Sequence, residues 1–213
     1  MVNFGKAFTY IFDDEQWFDK LIVPILVSLI PVIGQLAFTG YTLRTIKNVV
    51  QNEIRPLPRF NFGEDLGRGF RFFLIGLVYA IPIFIITGIM LIPTMALNNN
   101  DSIGGFGIFV MLICGLLFFV YALFLAIFEP IAMANFAVKD TFASAFEWGN
   151  FFKRLGNNFS AWLLVFAGML IAGFISPLGS IILFIGVILT TTYSQLMVAH
   201  LTGQAYAASE TKN

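Results

Sequence analysis

The sequence is poor in charged residues and contains only one cysteine and one histidine. Of its 213 residues, 11% are charged and 58% are hydrophobic, whereas soluble globular chains carry about 25% charged residues. So few charges cannot cover the exterior of a folded chain in water, and the mean hydropathy of +0.86 indicates lipid as the surrounding solvent. This composition excludes a soluble enzyme and favours an integral membrane protein.

The same scarcity excludes several kinds of site. One His excludes a histidine-rich metal site, and one Cys excludes a disulfide scaffold. The 12 Lys and Arg balance the 12 Asp and Glu, so no net positive charge favours nucleic acid as a partner. The sequence also lacks dinucleotide-binding, P-loop, metalloprotease and nucleophile-elbow motifs. We therefore expect no cofactor, no metal and no catalytic residue.

Five apolar segments predict an all-α fold, a polytopic bundle of membrane helices. A helix of about 20 residues crosses about 30 Å of hydrocarbon. The second, third and fifth segments are long enough to span, and the fourth is short but sufficient if its aromatic start lies at the interface. The first is ambiguous because Pro24, Pro31 and Gly34 interrupt it. The segments are Leu21 to Leu43, Phe72 to Leu97, Ile108 to Phe128, Phe159 to Ile175 and Leu178 to Leu201.

The placement of basic residues predicts the orientation. Two connections, residues 44–71 and 139–154, hold most of the Lys and Arg, whereas Asn98 to Gly107 and Ser176 to Gly179 hold none. The basic loops and the C-terminus are therefore expected in the cytoplasm. If Pro31 to Gly34 turns the first segment back as a re-entrant hairpin, all 12 basic residues lie on that side; a single crossing would instead give five spans. We favour the hairpin.

A repeated pattern supports the hairpin interpretation. Before each apolar pair stands a stretch with large apolar residues at helical spacing, which predicts three units of interfacial amphipathic helix plus helical hairpin. Asn61 with Glu64 predicts an N-cap at the second stretch. We expect one membrane domain, 1–213, with these parts: a lead-in and short hairpin (1–50), a basic loop and amphipathic helix (51–71), a second hairpin (72–138), a third lead-in and hairpin (139–201) and a polar tail (202–213).

Seven residues stand out as candidate site residues. Glu129, Thr191, Gln195 and His200 are polar positions within or beside the apolar segments, where helix packing or an interfacial position is the simpler explanation of each. Arg55, Arg59 and Arg68 lie in the basic loop. There, attraction to anionic headgroups is worth about 1 kcal/mol per basic residue, so we expect these three to contact lipid; the alternative is that they only fix the topology.

Several short motifs carry a family resemblance. They are Gly40-Tyr41 with Arg44, Leu57-Pro58, the stretch from Asp65 to Phe70, Ala145-Phe146, Asn157-Asn158-Phe159 and the stretch from Ala199 to Tyr206. Together they resemble the prokaryotic multi-pass membrane family catalogued as domain of unknown function 4013. The resemblance implies a prokaryotic plasma-membrane protein and brings no site residues.

Three functions are compatible with these observations. We favour a non-enzymatic membrane protein that binds lipid or serves as an accessory or assembly subunit, with membrane lipids and either other subunits or a second copy as partners. A small transporter or channel is the alternative, supported by the helix-breaking prolines. A membrane-embedded enzyme acting on lipid is less favoured because Glu129, His200 and Tyr79 belong to no motif.

The hairpin interpretation predicts a labelling pattern. In a chain with Cys114→Ala, single cysteines at Asn3 and Asn52 should be protected from a membrane-impermeant thiol reagent in intact cells, and one at Asn99 should react. Labelling at Asn3 would establish five spans instead.

Overall fold

The chain folds entirely into helices and connections over the residues that the structure describes. The structure is a computed structural model that describes residues 2–97 and 104–210, with no strand among them. The predicted connection at Asn98 to Gly107 lies mostly outside these residues. The α-helices are α1 (Lys6–Thr9), α2 (Trp17–Ser28), α3 (Ile33–Val50), α4 (Phe62–Leu97), α5 (Gly105–Lys139), α6 (Trp148–Asn157), α7 (Phe159–Leu178) and α8 (Leu183–Ala208), with 3₁₀ turns at Phe142–Phe146 and Gly179–Ile182. The predicted all-α class is confirmed.

Three helices in the described ranges are long and apolar enough to cross a membrane. They are formed by Phe62–Pro93, Gly105–Lys139 and Phe159–Ile181. Much of their surface is exposed to the surroundings, as Phe84, Leu112 and Phe174 illustrate. A protein with such helices belongs in a membrane, where lipid covers these side chains. The span expected between Leu178 and Leu201 stays a prediction.

Two helices run further than the sequence pattern predicted. The second lead-in is the N-terminal part of α4, because nothing stops that helix once it has begun at Phe62. Likewise α5 continues through Glu129 and Pro130 to Lys139. The part after Pro130 is held by packing, since Ile131, Asn135 and Phe136 are fully buried. The apolar segments Phe72 to Leu97 and Ile108 to Phe128 are therefore parts of two longer helices.

The first apolar segment is a helical hairpin. Helix α2 ends at Ser28 and α3 begins at Ile33, and Leu21 packs with Phe38 and Tyr41, which makes the two helices antiparallel. A Cβ on Gly34 would lie 1.9 Å from the Val27 carbonyl oxygen, so only glycine permits this close return. With 12 residues, α2 is about 18 Å long and too short to cross a bilayer.

The tip of this hairpin is apolar and its backbone is hydrogen-bonded. Leu29, Ile30, Val32 and Ile33 are each about half exposed or more. The Gln35 side-chain amide donates to the Ser28 carbonyl at 2.9 Å, and the Gly34 N–H donates to the Ile30 carbonyl at 3.0 Å. Both features suit insertion into lipid, where an unpaired backbone group is costly.

Helices α3 and α4 cross at two glycines and a buried ion pair. A Cβ on Gly40 would lie 1.8 Å from the Asp65 carbonyl oxygen, and one on Gly69 would lie 1.8 Å from that of Leu36. At this crossing Arg44 binds Asp65 through both carboxylate oxygens, with Nε–Oδ1 and Nη2–Oδ2 distances of 2.7 and 2.9 Å. Asp65 is fully buried, so this pairing offsets the cost of its desolvation.

The start of α4 is capped as the sequence predicted, with one difference. The Asn61 side chain accepts from the Glu64 N–H at 3.3 Å. The carboxylate that reaches back to the Asn61 N–H belongs to Asp65, at 2.8 Å, and not to Glu64. Asp65 therefore joins the helix cap to the α3–α4 crossing.

Helices α7 and α8 form a second antiparallel pair. Gly168 faces Leu201, and the Thr190 hydroxyl donates to the Ser176 carbonyl at 2.7 Å. Helix α8 continues through Ala208, so residues 202–208 of the predicted polar tail are helical. Leu201, Ala205 and Tyr206 are buried there, and this burial keeps the chain helical. The last residues of the predicted tail, 211–213, lie outside the described ranges.

The end of α8 is capped by the segment that joins α6 to α7. The Asn157 and Asn158 amides donate to the Ser209 and Ala208 carbonyls at 3.1 and 3.3 Å. The Arg154 guanidinium lies 3.4 Å from the centre of the Tyr206 ring. These donors satisfy carbonyls that a helix end leaves without an internal partner.

The chain divides into two compact units. One consists of Met1–Phe73 and Glu129–Asn213, and the other is Leu74–Phe128. The second unit is a pair of apolar helix segments in which the Tyr121 hydroxyl donates to the Tyr79 carbonyl at 2.8 Å. The first contains both hairpins and the ion pairs. Organisation as a single membrane domain stays a prediction.

The buried ion pair predicts a large effect of one substitution. Asp65→Asn should lower the free energy of unfolding by about 3 kcal/mol, because it leaves the Arg44 guanidinium without its main partner in a buried site. Unfolding of the detergent-solubilised protein in a denaturant titration measures this loss.

Asp13→Asn is the matched control, since Asp13 pairs with Lys6 at the surface. It should cost less than about 1 kcal/mol. Similar losses in the two variants would show that the Asp65 pair does not hold the crossing together.

Candidate functional site

A pocket at the start of α2 brings basic and apolar side chains together. This α2 pocket has a volume of about 370 Å³ and is lined by Gln16, Asp19, Lys20, Val23, Arg59 and Phe60. Helix α2 supplies one wall, and the segment before α4 supplies the other. Because its lining combines charges with an aromatic ring and an aliphatic side chain, the pocket is suited to an amphipathic ligand.

The wall formed by residues 56–60 is held against α3 by side-chain hydrogen bonds. The Arg44 guanidinium donates to the Arg59 carbonyl at 2.5 Å, and the Asn48 amide donates to the Pro56 carbonyl at 2.9 Å. Leu57 is buried in the same core cluster as Tyr41. The backbone of Arg59 is therefore fixed, while its side chain remains exposed.

The two cations of the α2 pocket have different surroundings. The Lys20 ammonium is 2.6 Å from a carboxylate oxygen of buried Asp14. The Arg59 guanidinium reaches the Gln16 amide oxygen at 3.4 Å and has no carboxylate within 4.0 Å among the described residues. Arg59 thus has no ion-pair partner within the part of the chain that the structure describes, although the Asp19 carboxylate also lines the pocket at a distance beyond 4.0 Å.

An exposed apolar stripe continues from the α2 pocket along α2. Val23 and Leu26 follow Asp19 at helical spacing on α2, and Ile30 lies just beyond the end of that helix; they are 46%, 56% and 48% exposed. Residues three and four apart lie on one face of a helix. The stripe therefore leads from the charged pocket towards the tip of the hairpin.

Of the three predicted lipid contacts, only Arg59 lies in this pocket. Arg55 is exposed and forms an ion pair with Glu15 at 3.0 Å. Arg68 is 7% exposed and lies 3.4 Å from Asp140 and 3.5 Å from Glu64. Arg68 is thus mostly enclosed by its neighbours and acidic partners, and its contact with headgroups stays a prediction.

A second pocket gathers the polar residues of α8. This α8 pocket, about 320 Å³, is formed by residues of α3, α5, α7 and α8 and includes Thr191 and Gln195. Ser194 also lines it; its side chain is 1% exposed, and its hydroxyl has no hydrogen-bond partner among the described residues. The structure thus brings the two predicted polar positions together with Ser194, which belongs to the same polar run of the sequence, Thr190 to Gln195.

The other two polar candidates lie elsewhere. His200 stacks on Tyr10 with ring centroids 4.2 Å apart, and its Nδ1 is 2.7 Å from the Gln204 amide nitrogen. Glu129 lies on an exposed position of α5, before Pro130. Within the described ranges no group of three or more His, Cys, Asp or Glu side chains could hold a metal ion.

The Asp14–Lys20 pair predicts a dependence of stability on pH. Burial raises the pKa of Asp14, but hydrogen bonds from the Lys20 ammonium and the Gln16 N–H outweigh it and hold the pKa below its usual value. The folded state then binds this proton less readily than the unfolded state does, whose Asp pKa is about 3.9. The resulting stabilisation is complete above that pH and disappears as the pH falls through the folded-state pKa.

Asp14→Asn should therefore lower the unfolding free energy at pH 7 and have a diminishing effect as the solution is acidified. Denaturant titrations of both proteins between pH 7 and pH 3 measure the difference. A difference that does not change over this range would rule out the carboxylate charge as its source.

Comparison with known proteins places the chain in a family. It is 31% identical over 191 residues to an uncharacterized protein of Methanocaldococcus jannaschii, an alignment that covers 85% of this chain and 63% of that protein. The chain thus spans less than two thirds of the length of this relative. No solved structure matches it significantly. The sequence model of a family described as a protein of unknown function matches residues 23–199. The chain therefore belongs to this family, DUF4013, as its motifs suggested.

Proposed function

We propose that the protein is a non-enzymatic multi-pass protein of a prokaryotic plasma membrane that binds a phosphate-bearing lipid headgroup in the α2 pocket. One observation carries the proposal: Arg59 lies without a carboxylate partner beside an exposed apolar stripe. A phospholipid complements this arrangement, because its anionic phosphate can pair with the guanidinium and its apolar chain can lie along the stripe.

The chemistry of the α2 pocket supports a phosphate ligand. A guanidinium binds phosphate through two parallel N–H donors, a geometry that a single ammonium does not offer. Asp14 already neutralises Lys20, so Arg59 is the cation available to a ligand. Asp19, on the rim, can accept from an amine or hydroxyl of the same headgroup.

Among the arginines of the basic loop, internal pairing leaves one for the lipid-binding role. Four of its basic residues have carboxylate partners within 4.0 Å: Arg44, Arg55, Arg68 and Arg71. Their charges therefore contribute little to the attraction of anionic lipid. We attribute the headgroup contact to Arg59 and assign the paired arginines to structure.

The distribution of basic residues supports an orientation for this site. The α2 pocket lies at the basic end of the α2–α3 hairpin, between Lys20 and Arg44. By the positive-inside rule this end, the basic loops and the C-terminus face the cytoplasm. The pocket would then meet headgroups of the inner leaflet, and the apolar stripe would lie along their chains.

Arg59→Gln tests the proposal directly. Native mass spectrometry of the protein in detergent micelles doped with phosphatidylglycerol counts the lipid molecules that stay bound. The variant should bind about fivefold more weakly, because one basic residue contributes about 1 kcal/mol near an anionic surface.

Arg55→Gln is the matched control, because it removes the same charge from the same loop outside the pocket. It should bind phosphatidylglycerol as the wild type does. Equal losses in both variants would indicate attraction by general loop charge, and no loss in either would refute headgroup binding at Arg59.

A further inference from the structure

The α8 pocket lies halfway along a membrane-crossing helix. Gly168 faces Leu201 and Ser176 is bonded to Thr190, so Gln195 comes level with Ala172. The candidate span of α7 is Phe159–Ile181, and Ala172 is close to its middle. A ligand in this pocket would therefore be taken up from the hydrocarbon region and not from the headgroups.

The side chains of the α8 pocket are uncharged. Thr191, Ser194, Gln195 and Thr202 supply hydroxyl and amide groups, and Met133 and Met169 supply flexible apolar surface. None of the described residues that line it is Asp, Glu, Lys, Arg or His. At this depth a charged ligand would need a countercharge that the pocket does not offer, so its ligand is neutral.

Hydrogen-bonding capacity in the pocket is unused. The buried Ser194 hydroxyl has no partner in the described part of the chain, and the Gln195 amide is exposed. In hydrocarbon each unpaired polar group costs free energy that a bonded ligand would recover. An amide and a hydroxyl together both donate and accept, which matches a ligand hydroxyl group.

The size of the α8 pocket argues against a protein helix as its occupant. One turn of a helix 10 Å wide occupies about 420 Å³, more than the roughly 320 Å³ available. That volume lies at the lower end of the range found for small-molecule sites, about 300–1,000 Å³. It suits the polar end of a lipid and the first part of its chain.

We infer that the α8 pocket binds an uncharged glycerolipid with a free hydroxyl group. The hydroxyl bonds to Ser194 and Gln195, and the chain lies against Met133 and Met169. This site is separate from the α2 pocket in residues and in ligand charge. Each proposal can therefore fail without the other.

Photolabelling tests the inference. Purified protein is reconstituted in phosphatidylcholine vesicles that contain a diacylglycerol with a diazirine on one acyl chain, irradiated, digested and analysed by mass spectrometry. We expect label on the peptides that contain Met133 and Met169. Arg59→Gln should leave this label unchanged, whereas it weakens phosphatidylglycerol binding.

Gly173→Leu should reduce the label at least tenfold. A Cβ at Gly173 meets no atom within 4 Å, so a leucine can fill the pocket without a clash, and leucine favours a helix more than glycine does. Gly115→Leu is the matched control on α5, where a Cβ also meets no atom within 4 Å. It should leave the label unchanged.

The double substitution Ser194→Ala with Gln195→Leu removes the hydrogen-bonding groups and should reduce the label at least fivefold. Removing the unpartnered Ser194 hydroxyl should not impair folding, so this variant decides the question if Gly173→Leu does not fold. Undiminished label in the double variant would overturn the inference. Two other results would also overturn the inference. One is label spread evenly over the lipid-exposed helices, and the other is a crosslink, in a separate crosslinking experiment, from position 195 to a second copy of the chain.

Discussion

The Arg44–Asp65 ion pair joins three parts of the chain. Asp65 caps the first turn of α4, while Arg44 extends from α3 and also holds the carbonyl of Arg59. The pair can form only because Gly40 and Gly69 let the two helix backbones approach closely. Helix crossing, helix start and the wall of the α2 pocket therefore depend on one carboxylate and one guanidinium. The position of Arg59 in the proposed headgroup site therefore depends on the Arg44–Asp65 ion pair, since Arg44 also binds the Arg59 carbonyl.

The basic loop shows that charge can serve structure in a membrane protein as well as orientation. Most of its arginines meet acidic partners, and Arg68 is buried among them. Near lipid such pairs are less screened than in bulk water, so each pair constrains geometry more strongly. The same residues still count towards the positive-inside rule, because that rule depends on Lys and Arg and gives Asp and Glu little weight. One residue of the set, Arg59, remains available for a ligand.

Composition and apolar periodicity predicted the helical class, the three helices long and apolar enough to cross a membrane among the described residues, and the break at Pro31. These features depend on local properties: hydropathy over about 20 residues, proline and glycine positions, and caps such as Asn61. The continuation of α5 beyond Pro130 could not be predicted in this way, because it depends on burial of its side chains against parts of the chain that are distant in sequence. Glu129 and Pro130 are typical of a helix end, yet packing of Ile131 and Phe136 continues the helix beyond them.

The candidate site residues also fall into two groups, those that local sequence properties identify and those that depend on contacts with distant residues. Arg59, Thr191 and Gln195 could be chosen from the sequence because polar residues near apolar runs are conspicuous. The burial of Arg68 and the partner of Asp65 could not, since both depend on residues far away in the chain. Ser194 was part of a conspicuous polar run, but only the structure shows that its hydroxyl lacks a partner. The sequence shows where the polar residues lie, but tertiary contacts determine which of them are buried, paired or available to a ligand.

The hydrogen bond from the Asn3 N–H to the Gln204 side-chain oxygen has a consequence for the order of folding. These residues are 201 positions apart, and Tyr10 similarly bonds to Leu196 across 186 positions. At synthesis rates of about 5–20 residues per second, the first segment waits roughly 10–40 s for its binding surface to be made. Its exposed aromatic residues, Phe12 and Phe18 among them, are suited to resting at the membrane surface in the meantime. Docking of the first segment onto the last helix is therefore a late step that completes the bundle.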